Sequence, residues 1–392
     1  MSPAPPVADQ FAVDPAARTR WRVGAWCWGA LVLATTLTGA QVKERFVTTD
    51  ARGGLVYRAA ERGDRIPDFS HAGYAGGGVP LPVPPIRIVV EPSVGDDGAR
   101  IQAALDQVAA MPPDADGLRG AVYLAPGRFE VAGQLRLTAS GVVLRGAGSG
   151  EDGTVVVATG QGRRTLIEIA GAGDRRRREP THVVSADYVP VGVTTLTLTN
   201  RSGLVVGDRV WVERQPNDAW LSALGMDVAP ARTPYRWKRD DVVVGWDRTI
   251  VAVDGPRITL NAPLTTALDP AFGTATVAVY EWPERLRNVG VEHLRCVSVF
   301  DGGNPRDEEH AWMAVALDAV EDAWVADVTA VHFVSSAVHV GAGARAVTVQ
   351  DCQSLAPVSE LAGYRRQAFH TSGQLTLFQR CRSEDGRDDF TV

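Results

Sequence analysis

Residues 95–148 constrain the fold of this chain more than any other stretch. They read GDDGARIQAALDQVAAMPPDADGLRGAVYLAPGRFEVAGQLRLTASGVVLRGAG. Ile101, Ala104, Leu105 and Val108 recur at helical spacing, which predicts an amphipathic helix over 98–110. Asp96 or Asp97 stands just ahead of it and can satisfy its free amides. AVYLAP, GRFEVAGQLRLT and GVVLRGAG follow as short strands with alternating or continuous apolar residues, each closed by Gly or Pro. One helix and then short strands with tight turns is how a parallel β-helix begins.

The wording of this stretch resembles the opening segment of the pectate-lyase superfamily. The matching positions are Gly95-Asp96-Asp97, Ile101-Gln102, Val122-Tyr123-Leu124-Ala125-Pro126-Gly127 and Leu144-Arg145-Gly146-Ala147-Gly148. IPDF-x-x-AGY, at 66–74 here, resembles the arm that precedes the coils in carbohydrate-active members. The resemblance implies an all-β fold: a right-handed parallel β-helix with an N-terminal capping helix, acting on polysaccharides. It carries no reaction, because the matching segment closes the end of the coil and does no chemistry.

A repeat supports the same fold independently. Val291-Glu292-His293-Leu294, Val325-Ala326-Asp327-Val328, Val349-Gln350-Asp351-Cys352 and Phe378-Gln379-Arg380-Cys381 align, recurring after 34, 24 and 29 residues. A coil of three short strands and their turns needs about that length. The first and last residue of each segment is apolar or cysteine and is expected inside the coil. Cys352 and Cys381 then become neighbours in an interior ladder, as buried thiols or as a disulfide.

The chain divides by character. Residues 1–40 carry Arg18, Arg20 and Arg22, an uncharged apolar run over 23–40, and Thr38-Gly39-Ala40 as a cleavage signal. This predicts export, with the segment either removed or kept as a membrane tether. Residues 41–94 form an extended arm, 95–180 the first coils and 284–392 the later ones. Between them, 181–283 reads as an inserted antiparallel β-domain with hairpin turns such as Val253-Asp254-Gly255. The basic run 174–178 reads as a solvated loop or a subsite for an anionic polymer. The chain stops at 388–392 in mid-pattern, which reads as an incomplete β-helix. A net charge of −6 argues against nucleic acid as a partner. Oligomeric state is not legible.

Candidate chemistry gathers near the end. Glu384, Asp385, Asp388 and Asp389 are candidate acids or bases, with His370 beside them in the fold. Carboxylates on one strand or on adjacent coils reach the separations of glycosidase pairs. Asp388-Asp389 resembles the adjacent aspartates of polygalacturonase-type hydrolases, without that family's flanking pattern. A lyase instead needs a base beside a uronate and a cation for its carboxylate. Arg365, Arg366 and Arg387 fit the second part. Trp220 and Trp237 are candidate sugar platforms. Residues 301–310 form a polar turn that offers oxygens for calcium, although no cofactor is required and no zinc spacing occurs. His332 and His339 alternate with apolar residues and read as structural, facing outward. Gly146–Gly150 is followed by a strand, not a helix, so it is no dinucleotide loop. Three functions follow as expectations: cleavage of a polysaccharide by hydrolysis or β-elimination in a groove along one sheet, non-catalytic glycan binding or surface attachment, or an inactive truncated fragment.

Overall fold

Three parallel ladders run the length of the structure, a computed structural model that describes residues 46–228 and 236–392. The 23–40 run lies outside the described residues, and among those no helix is long and apolar enough to cross a membrane. The helix Gly98–Ala109 buries Ile101, Ala104, Leu105 and Val108, as its spacing predicts. Asp96 accepts from the first helical amide at 2.9 Å, while buried Asp97 binds Ser93 and Arg100 instead. Beside this helix the coils stack in order. The first is Gly120–Leu124, Gly127–Val131 and Leu135–Leu137; the second is Val142–Arg145, Thr154–Ala158 and Thr165–Ala170. After an insertion, Leu286–Ser298 with Met313–Asp318 and Val320–Val331 with Ser336–Val340 make the next two. Arg345–Gln350, Gln353–Leu355 and Gln367–Thr371 follow, then Leu377–Gln379, Arg382–Ser383 and Asp388–Thr391.

The repeat is the register. Val291, Val325, Val349 and Phe378 pair in turn across adjacent parallel strands. The third residue of each segment is the bend: His293, Asp327, Asp351 and Arg380 have φ of 58°, 51°, 55° and 53°. A left-handed residue turns the strand onto the next face, and polar side chains repay part of its strain locally. His293 Nδ1 lies 2.8 Å from Asp327, and Arg380 makes a forked pair with Asp351 at 2.6 and 2.8 Å. The next residue points inward, so Leu294 and Val328 sit fully buried and Cys352 follows them. Cys296, Cys352 and Cys381 are free thiols.

Tyr74 and Leu81 of the preceding arm pack over the outward face of the coil, on the buried Trp324. The inserted sheet is antiparallel and has its own core around Val210, Val212, Trp246, Ile250 and Val277. Its first strand is the basic run itself: Arg176–Arg177 pairs with Glu281 and Tyr280. The run stays largely solvent-exposed, but Arg176 and Arg177 form a strand rather than a loop. Arg175 lies over the Trp211 ring at 3.8 Å, and Arg176, Arg177 and Arg178 pair with Glu284, Glu213 and Glu281. The sequence shows the cations but not the glutamates, which arrive from two strands and a turn far along the chain. A buried ionic group ties insertion to coils. Asp247 contacts Arg285 at 2.7 Å and Arg345 at 3.2 Å and accepts from the Tyr280 hydroxyl at 2.7 Å.

Candidate functional site

A second stack of left-handed residues builds the site. His332, Ala356 and Asp385, with φ of 70°, 46° and 57°, follow equivalent strands of three successive coils. The chain between this bend and the next strand is short after His332 and long after Ala356. The long segment, together with the polar turn before Met313, forms a wall. A cavity of about 570 Å³ opens there, lined by Phe300, His332, Leu361, Arg366 and Asp385 among others. Its size suits a small part of a polymer.

Burial pushes the His332 imidazole below its ordinary value, helped by the positive charge of His310 and opposed by the Ser298 backbone beside it. The ring is therefore neutral near neutral pH and has a lone pair to offer. Its edge is held by Phe300, with ring centroids 5.0 Å apart and planes at 71°. Beneath Phe300, buried His310 bonds Ser298 Oγ at 2.8 Å. Arg366 donates through Nη2 to the Ser359 carbonyl at 2.8 Å, through Nε to Ser359 Oγ and through Nη1 to the Asp385 carbonyl. That uses three of the five guanidinium N–H groups. The Asp385 carboxylate accepts no hydrogen bond among the described residues.

The structure brings Asp385 and Arg366 together, and Arg387 joins them in register, its amide donating to the Arg366 carbonyl at 2.9 Å. The other candidates are dispersed. Exposed Glu384 is paired with Arg382, Asp388 with Arg387 at 2.7 Å, and Asp389 accepts from Ser383 Oγ at 2.7 Å. Among the described residues, Asp385 is the one of these four carboxylates that lines the cavity. His370 is elsewhere, stacked on His339 on the outer face of the third ladder. Arg365 forks onto Glu308 at 2.5 and 2.9 Å and lies beside Trp312 and Tyr364. Trp220 is half-buried between Arg214, 4.1 Å from its ring, and Phe272. Trp237 is half-buried in the insertion, and neither tryptophan lines the cavity.

His332 and Phe300 are the lining residues that the sequence did not mark as functional. Alternation with apolar neighbours hid His332, since a bend residue shares that pattern with an outward strand residue. The polar turn 301–310 is closed on itself: Asp301 accepts from the Gly303 amide, Asp307 from the Asp301 and Glu309 amides, and Glu308 from Arg365. Among the described residues no three His, Cys, Asp or Glu side chains gather as a metal site.

No family model matches the sequence, and no curated protein matches it. Solved structures do. The tailspike gp61 of Pseudomonas phage phi297 is similar at 15% identity and a TM-score of 0.34, over 74% of this chain and 42% of that one. The tailspike gp49 of Pseudomonas phage LKA1 is similar at 14% and 0.31, over 75% and 52%. The A-module of the Azotobacter vinelandii mannuronan C-5 epimerase AlgE6 is similar at 14% and 0.25, over 74% and 53%. The chain thus spans about half the length of the structures it matches. The fold is an all-β parallel β-helix with an N-terminal capping helix and an inserted antiparallel sheet.

Proposed function

We propose that this chain is an exported polysaccharide-active β-helix that binds a uronate polymer at the 570 Å³ cavity and cleaves it by β-elimination. The observation that carries the reading is that His332 and Arg366 line one cavity, the imidazole lowered by burial and the guanidinium keeping unused donors. Elimination needs those two groups. Arg366 neutralises the uronate carboxylate, so that the adjacent carbon gives up its proton more easily. His332 takes that proton, the electron pair forms the carbon–carbon double bond, the glycosidic C–O bond breaks, and the departing oxygen takes a proton from solvent. Asp385, on the same wall, balances the imidazolium that forms. Arg387 and Arg365 are already held by Asp388 and Glu308, which leaves Arg366 as the cation with donors to offer. Hydrolysis by a carboxylate pair has less support, because Glu384, Asp388 and Asp389 each have another partner. The arginine-flanked run 23–40 supports export.

The test is incubation with polyuronates and with neutral glucans. Ultraviolet-absorbing unsaturated ends from the polyuronates alone are expected, with kcat/KM falling by roughly 10²–10⁴ in His332→Ala and Arg366→Ala. Reducing ends without that absorbance would mean hydrolysis. Saturable binding with no cleavage would leave a glycan-binding module and overturn the catalytic part.

A further inference from the structure

The last two coils carry a pair of sulfurs that the site does not use. Cys352 and Cys381 occupy equivalent positions, two residues past the Gln350–Gln379 pair. The Arg382 amide donates to the Cys352 carbonyl at 2.9 Å, so the two strands are hydrogen-bonded beside the thiols. Strands so bonded lie about 4.8 Å apart, inside the Cα range of disulfides. Both side chains lean the same way. Cys352 Sγ lies 3.6 Å from the Val325 carbonyl, and Cys381 Sγ lies 3.5 Å from the equivalent Val349 carbonyl, on the coil that bears Cys352. Cys352 is fully buried, and Cys381 is half-buried at the edge of the same core.

We infer that Cys352 and Cys381 are a dithiol that closes to an inter-coil disulfide when a small-molecule disulfide such as oxidised glutathione is present. Cys381 is the attacking sulfur, because it is the more accessible. The hydrogen bond from the Cys352 thiol also pulls Cys381 down to about 7, whereas burial and the neighbouring sulfur push Cys352 up. Cys381 thiolate attacks one sulfur of the oxidant and forms a mixed disulfide, and the first glutathione thiolate leaves with the electron pair. Cys352 then loses its proton to solvent and attacks Cys381 Sγ, releasing the second. Two cysteine thiols are oxidised and one disulfide is reduced to two thiols. The bond pins the strands that run into Ala356 and Asp385, four residues beyond each cysteine.

The full chain has four cysteines, Cys27, Cys296, Cys352 and Cys381, so the expected loss on oxidation is two of four thiols in a denaturing titration. Peptide mapping of the wild-type protein should recover Cys352 joined to Cys381 at two hydrogens less mass. The oxidised protein should melt a few degrees higher than the reduced one. Cys296→Ser should behave as wild type, and Cys352→Ser should stop at glutathionylated Cys381. Four surviving thiols, a persistent mixed disulfide in the wild type or a link between chains would each overturn the inference. Mapping needs no variant to fold, and a thiol count does not depend on whether the cavity cleaves uronates.

Discussion

The imidazoles of His339 and His370 lie face to face on adjacent coils, centroids 4.5 Å apart and planes 9° from parallel. They point outward, since Val338, Val340, Phe369 and Thr371 beside them are buried. Burial lowers both, and for His339 the His370 charge adds to it while Asp318 opposes it. A histidine lowered in the folded state binds its proton more readily when unfolded. The stability it contributes is therefore complete above the unfolded value of 6.5 and is lost as pH falls below it. The melting temperature should drop between about pH 7 and pH 5. His370→Gln should flatten that part of the profile, and an unchanged slope would remove the stack as its cause.

The contact between Asp247 and Arg285 joins the inserted sheet to the coils with both side chains at most 2% exposed. Burial alone would raise Asp247, but Arg345 and Arg285 overcome it and hold the carboxyl below its usual range. Asp247→Ala leaves those two cations buried without their carboxylate. It should cost about 3–5 kcal/mol in denaturant unfolding. It should also make the insertion a preferred site of limited proteolysis. A loss under about 1 kcal/mol would mean that Glu321, 3.5 Å from Arg345 and 3.9 Å from Arg285, suffices alone.

The fold was legible because stacking repeats its demands. Val291, Val325, Val349 and Phe378 face the same interior, so each coil restates one apolar pattern at one register. The helix before the coils was legible because one face must be apolar and the other is free. The site was only half legible. Asp385 and Arg366 were marked as charges near the end of the chain, but their convergence with His332 depends on loops whose lengths vary between coils. Spacing along the sequence therefore does not report it. His370 was placed with them because it precedes the acidic segment closely, whereas the coil carries it to a different face. The short strand within the exposed basic run at 174–178 is hidden for a similar reason: its partners Glu213, Glu281 and Glu284 are distant in sequence.

Gly290 is required by a ring, not by a turn. A Cβ there would stand 2.2 Å from Cε2 of Trp324, its register partner. Trp324 cannot yield, being fully buried, bonded through Nε1 to Glu292 at 2.9 Å and covered edge-on by Tyr74 at 5.4 Å. Gly290→Ala should cost about 2–3 kcal/mol in urea unfolding. Adding Trp324→Leu should make the double variant less unstable than the sum of the two single losses. Strict additivity would show that the clash is absent.

Ala346 occupies a bend at φ 55°, in register with Asp322 on one side and Leu375 on the other, both also left-handed. An L-residue pays about 1–2 kcal/mol for that conformation, whereas glycine adopts it freely. Its amide donates to the Gln374 carbonyl at 2.9 Å, a bond that glycine keeps. Against the gain stands the greater freedom of glycine in the unfolded chain, about 0.5–1 kcal/mol. Ala346→Gly should therefore stabilise by about 0.5 kcal/mol. Ala344→Gly is the control, since Ala344 is equally buried and has no positive φ. It should destabilise by about 1 kcal/mol. Paired denaturation curves decide the matter. If both variants lose stability to the same extent, the bend carries no strain for glycine to relieve.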